Sequence, residues 1–374
     1  MRPPSSRSAA LILLLMSPLA CTDLPNQPSS ATAPSFSLIG SYEMVDLGPA
    51  DVPCTYGVAI NSRGQAILGS CDNTRFFFWD RGSVTDIGTL GGNYVQASAL
   101  NDAGQVIGNS MTADGAIHGF FWENGHITDL GDFHPRAINV KGQVAGIDPQ
   151  GRGFLRDHDT MTDLGTLGGS RSVPTAMNDR GQVVGLSDIA DDRRWHAFLW
   201  DHGTMIDLHG ADDNWTSGAV LINSEGLVAG DMFHFFEEVV HTWVWQRGTW
   251  TDLKDLGLDS DGADAQAISP TGVIGGTAAF LFFGDRAWVW TRGTVTVIPE
   301  LASVTAINAA GVVVGSPGLP GYSGPLLWYN GTVVDIGPEG GFGSASGINA
   351  AGQIIGTTFP GGGGGDSRAV MWSR

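Results

Sequence analysis

Residues 85–110, TDIGTLGGNYVQASALNDAGQVIGNS, return almost word for word as residues 162–187, TDLGTLGGSRSVPTAMNDRGQVVGLS. A unit that recurs along a chain cannot bury its apolar face alone and must stack on its neighbours, so this feature constrains the fold before any composition figure does. Two markers count the copies. The first is a Trp ahead of a Gly-punctuated turn, in FFFWDRG (76–82), GFFWENG (119–125), AFLWDHG (197–203), WVWQRG (243–248), WVWTRG (288–293) and LLWYNG (326–331); GFLRDHD (153–159) is a decayed copy and AVMWSR ends the chain. The second is an Asn followed three residues later by Gly, at Asn61, Asn101, Asn139, Asn178, Asn223, Asn308 and Asn349, with SPTG (269–272) keeping the turn chemistry where the Asn is missing. Both markers count eight units of about 40 residues.

Each unit reads as four short strands: one like ASALN, a tight turn, one like QVIGNS, a variable loop, one like HGFFW, a second tight turn, and one like HITDLG. Apolar runs of four to six residues bounded by turn residues fit strands buried on both faces. The 55 glycines agree with many turns and few helices. Four-stranded antiparallel units repeated radially make a β-propeller, here all-β with eight blades. The last unit stops at MWSR after three strands, and the first ordered segment, YEMVDLG (42–48), is an orphan fourth strand. Pairing the two closes the ring and removes two sheet edges. The expected organisation is therefore a leader over 1–21, a Ser/Pro/Thr-rich tether over 22–40 and a propeller over 41–374.

The leader has Arg2 and Arg7, then the short apolar run AALILLLM, then SPLAC. This is the layout of an export signal, and the run is too short to span a bilayer. SPLAC resembles a bacterial lipobox, which implies lipidation of Cys21 and an outer-membrane or surface location; Pro18 departs from that pattern, so ordinary secretion is the alternative. In an oxidising compartment the other two cysteines, Cys54 and Cys71, flank one hairpin and are expected to form a disulfide.

The wording DLGTLGG, AMNDRGQVVG and HAFLW resembles the HAF family of bacterial extracellular repeats over residues 42–374. That resemblance implies an extracytoplasmic protein and carries no activity with it.

The net charge is −19, and Lys141 and Lys254 are the only lysines. A surface that tracks phosphates needs clustered cations, so nucleic acid is excluded as a partner and membrane contact is expected only through the N-terminal lipid. A once-per-blade basic residue four before the Trp, such as His118, His196 or His241, faces an Asp on the next strand, and this pair is expected to be a structural bridge rather than a catalytic dyad. No serine elbow, zinc pair or phosphate loop occurs, so no catalytic residue, cofactor or metal site is assigned, and the acidic DSDGAD (259–264) reads as a turn rather than a calcium loop.

Loop-length variation falls on one side of the ring, where binding sites sit on rigid scaffolds. The candidate binding residues there are Trp195, Trp215, Phe235, Asp191, Asp192, Asp212, Asp213 and Glu237, aromatic faces beside carboxylates, with Phe233, Phe236 and Phe280 as further aromatics. They suit a glycan, a peptide or a partner protein bound by a monomeric, non-catalytic module. The alternative is a polysaccharide hydrolase or lyase with carboxylates such as Glu237 and Glu238 at the channel mouth.

Overall fold

A computed structural model describes residues 41–190, 193–209, 215–234, 239–258, 260–281, 284–319, 321–322, 324–337, 342–359 and 367–374. The chain in this region folds into eight four-stranded antiparallel sheets. Blade 1 spans 55–86, blade 2 91–129, blade 3 134–163, blade 4 168–207, blade 5 215–252, blade 6 262–298 and blade 7 301–335. Blade 8 takes three strands from 342–373, and its fourth is Glu43–Asp46, paired Glu43 to Ser373 through Asp46 to Val370. The first strand of every blade packs against the first strands of both neighbours, blade 8 against blade 1 included. The ring is closed as expected. The one helical element among the described residues is a short 3-10 turn, Leu253–Leu256.

Each repeated word has a local physical cause. The Asn of each first turn is buried, and its Oδ1 accepts from the N–H groups two and four residues on, as in Asn101 with Ala103 and Gln105. Its Nδ2 reaches the next blade: Asn61 donates to the Asn101 carbonyl at 3.0 Å, Asn101 to Asn139 at 2.7 Å, and Asn349 to Asn61 at 3.1 Å. Blade 6, with Ser269, replaces the missing amide with Thr271, whose hydroxyl donates to the Ala309 carbonyl. The first turns are thus joined blade to blade around the axis.

The Gly of QVIG or QVVG is demanded by a close approach: a Cβ on Gly185 would lie 2.0 Å from the Val173 carbonyl oxygen. The turn behind the Trp places two residues in the left-handed region, for example Asn124 (φ 50°) and Gly125 (φ 85°), the pattern of a two-residue hairpin turn matched to strand twist. In DLG, the Asp takes the N–H two residues on with one oxygen and the basic residue of strand three with either oxygen. Asp86 accepts from Gly88 N and from Arg75, and Asp207 from His209 N and from His196. The same bridge recurs as His118–Asp129, Arg152–Asp163, His241–Asp252 and Arg368–Asp46, which is the structural role expected of it.

Two features differ from the sequence expectation. In blades 2 and 4 the inner strand runs Gly91–Leu100 and Gly168–Met177, longer than the ASALN stretch, and takes in both glycines of LGG. Every inner strand also carries a register shift, as between Ala97 and Ala99 or between Pro135 and Ala137, so at least one residue per blade is left unpaired.

Cys54 and Cys71 form a disulfide with Cα atoms 5.5 Å apart. It lies beside the ring closure, where Thr55 N donates to the Ser367 carbonyl and Ala369 N donates to Thr55 Oγ1. A formed disulfide fits an oxidising, exported environment. No helix among the described residues is long and apolar enough to cross a membrane.

Candidate functional site

Inner strands start on the side of the variable loops, second strands end there, and third strands start there. That geometry gathers 195–196, 207–209, 215–217, 234 and 241 on the loop side of blades 4 and 5. Trp195 opens the third strand of blade 4, paired across from Asp188, and is 36% exposed, enough to offer part of its ring to a ligand. The next residue, His196, bonds Asp207 through Nδ1 at 2.9 Å and stacks on His209 with ring centroids 3.9 Å apart and planes 11° apart. Its Nε2 is buried without a hydrogen-bond partner among the described residues. His209 Nδ1 lies 2.8 Å from Ser217 Oγ, and that hydroxyl also accepts from Ala197 N, tying the inner strand of blade 5 to blade 4.

Trp215 opens the inner strand of blade 5 and is half-buried between two imidazoles, 4.6 Å from the His234 ring and 4.8 Å from His241. His241 in turn bonds Asp252 at 2.9 Å. Burial works against the Asp207 carboxylate, but the His196 hydrogen bond and the His209 backbone N–H outweigh it and hold its pKa below the ordinary value.

Of the predicted binding residues, the structure therefore brings Trp195 and Trp215 to one side of adjoining blades, beside His196 and His241, read from the sequence as bridge partners, and His209 and His234, which the sequence reading did not single out. Phe233 and Phe280 are partly buried, Phe280 against the core of blade 6. Asp191, Asp192, Asp212, Asp213, Phe235, Phe236, Glu237 and Glu238 lie outside the described residues, as does Cys21. In the acidic 259–264 segment, Asp261 accepts from Leu281 N and Asp264 from Thr277 N, so both carboxylates serve the backbone.

The channel wall carries little charge. Arg136 and Arg171 are the only Lys or Arg of the inner strands, and Arg171 is held by Asp188 at 2.8 Å. Arg136, the unpaired residue of its strand, is exposed beside Gln96, Ser98, His134 and Thr175 in a cavity of about 490 Å³. One further carboxyl is perturbed. Asp231 sits between blades 5 and 6, where burial first and the nearby Asp264 second push its pKa up to about 7, against hydrogen bonds from Ala265 N and Thr242 Oγ1. Its partners are backbone and a neighbouring hydroxyl, so it is a packing carboxyl.

This architecture defines the class: a closed eight-bladed β-propeller. No protein-family model and no curated protein sequence matches the chain. Among solved structures, Porphyromonas gingivalis dipeptidyl peptidase 4 is similar with a TM-score of 0.54 and 10% identity, over 80% of this chain and 55% of that one. A gluconolactonase from Xanthomonas campestris aligns over 89% of this chain and 90% of that one at 9% identity and a TM-score of 0.37. The Aleuria aurantia lectin aligns over 73% and 98% at 10% identity and a TM-score of 0.32. The chain spans about half the length of the peptidases it matches, 44% to 55%. Similarity at this identity speaks to the fold alone.

Proposed function

We propose that this chain is an exported, non-catalytic binding protein that holds a glycan on the loop side of blades 4 and 5. The observation that carries the reading is the gathering of Trp195, Trp215, His209 and His234 beside the bridge histidines His196 and His241 on one side of two adjoining blades, with His209 stacked on His196 and Trp215 against His234 and His241. Flat aromatic faces at the surface suit the apolar faces of sugar rings, and imidazoles with carboxylate partners suit their hydroxyls. Export follows from the leader and agrees with the disulfide. Attachment through a lipid on Cys21 and membership of the HAF-type extracellular repeats are parts of the same proposal. A peptide or a partner protein is the next ligand class in order.

The test is a glycan array and an envelope-extract pull-down with residues 36–374, comparing wild type with Trp195→Ala. Retention of a glycan by the wild type and its loss in the variant, with unchanged thermal stability, supports the reading. Turnover of a polysaccharide by the wild type, or equal retention by both proteins, overturns it.

A further inference from the structure

Seven blades place a Trp at one position of strand three, from Trp79 in blade 1 to Trp372 in blade 8, and blade 3 alone places Arg156 there. Where the Trp is present it packs toward the preceding blade. Trp122 lies 4.9 Å from Phe78, and Trp200 joins the core cluster of Leu155 and Leu164. The junction of blades 2 and 3 lacks that indole. Its core cluster holds three buried residues, Ile107, Phe133 and Val144, against six to ten in the other seven clusters. Leu130 shows the consequence: it is only partly buried, whereas its seven counterparts, from Leu47 to Ile336, are at most 7% exposed.

Here a cleft of about 270 Å³ reaches Phe121, Leu130 and Val144, with Lys141, Arg156 and Glu123 around them, whereas the corresponding groove between blades 1 and 2 is walled by Trp122 and is not lined by Ile87 or Val106. A cavity of roughly 150 Å³ already takes a benzene ring, so the space suits a bicyclic aromatic. Arg156 donates Nε to the His158 carbonyl at 2.9 Å, and its guanidinium makes no ion pair among the described residues. Glu123 is occupied as acceptor for Gln105 Nε2 at 2.8 Å. We propose that this cleft binds a small planar aromatic acid of indole size, with the ring where the other blades put their own indole and the carboxylate on Arg156. An Arg guanidinium accepts a carboxylate through two parallel N–H donors, which supplies orientation as well as attraction.

The repeat itself provides the decisive variant. Arg156→Trp installs the residue used by the other blades and fills the cleft with the chain's own side chain. The experiment is calorimetric titration of residues 36–374 with indole-3-acetate and with indole, using wild type, Arg156→Trp and Arg156→Ala, together with their melting temperatures. The wild type is expected to bind indole-3-acetate at least 10-fold more tightly than indole, the expected scale for one charge-assisted contact. Arg156→Trp is expected to bind neither and to melt higher. Arg156→Ala is expected to keep indole binding and lose the preference for the acid. No saturable binding by the wild type, equal wild-type affinity for both probes, or unchanged binding by Arg156→Trp each overturns the proposal. The cleft lies at a different blade junction from the Trp195 surface, so the two outcomes are independent.

Discussion

Asp231→Asn should stabilise the protein at alkaline pH and do progressively less as the pH falls. The carboxyl is held at a blade junction with a pKa of about 7, where the unfolded chain has 3.8. Between those values the folded state keeps a proton that the unfolded state has already lost. The stability Asp231 contributes is therefore fully present below pH 3.8, declines as pH rises and is gone above about 7. At about 1.4 kcal/mol per pH unit, roughly 4 kcal/mol separates the two limits, and about 3 kcal/mol of it develops between pH 5 and pH 8.5. Asn keeps an acceptor for Ala265 N and carries no charge. An unfolding entropy of ~2.1 cal/mol/K per residue over roughly 330 residues converts that to about 4 °C. The assay is differential scanning calorimetry of wild type and variant at pH 5, 7 and 8.5. The melting-temperature advantage of the variant should grow by about 4 °C across the series. An advantage that stays flat with pH would show that Asp231 is ionised and solvated in the folded protein, and the reasoning would fail.

Further outcomes follow from the same geometry. The Cys54–Cys71 bridge closes a 17-residue separation, so Cys54→Ser with Cys71→Ser should cost about 3 kcal/mol, read by denaturant unfolding. Intact-mass analysis should find both thiols alkylated only after reduction. Asn101→Ala removes two donated and two accepted hydrogen bonds at a buried position and should cost about 2–4 kcal/mol in the same assay, far more than an exposed Asn124→Ala. The His118 imidazole is raised above its ordinary pKa by the Asp129 hydrogen bond, against some burial. NMR titration should therefore show His118 titrating above 6.5 and returning towards it in Asp129→Asn, with its stabilising contribution fully present below 6.5 and lost as pH rises through the raised folded-state pKa.

The architecture was legible because each repeated word enforces one local geometry. The Asn turn, the Gly of close approach, the two-residue turn behind the Trp and the capping Asp are short-range devices, so a short motif carries each of them. Blade closure was legible for the same reason: three strands were left at one end and one at the other. The bulge in every inner strand was not visible, since Ser98 or Arg136 differs in no local way from its neighbours and is set apart only by register. The partners of Trp215 were hidden too, because His234 and His241 approach it through strand pairing rather than through sequence spacing. Arg156 was visible as a decayed marker, but the cleft beside it required knowing that the Trp packs across a blade junction. The acidic candidates Asp191, Asp192, Asp212, Asp213 and Glu237 belong to loops where length varies, and no repeat logic assigns them a geometry.

Hydrogen–deuterium exchange of residues 36–374 with and without the glycan-containing envelope fraction tests the binding reading most directly. The account predicts slowed exchange in Trp195–Asp201, Trp215–Ile222 and Val240–Gln246, the strands that open on the loop side of blades 4 and 5. Protection confined to the turn side, around Asn61, Asn101 and Asn139, or no protection with any fraction, would contradict it.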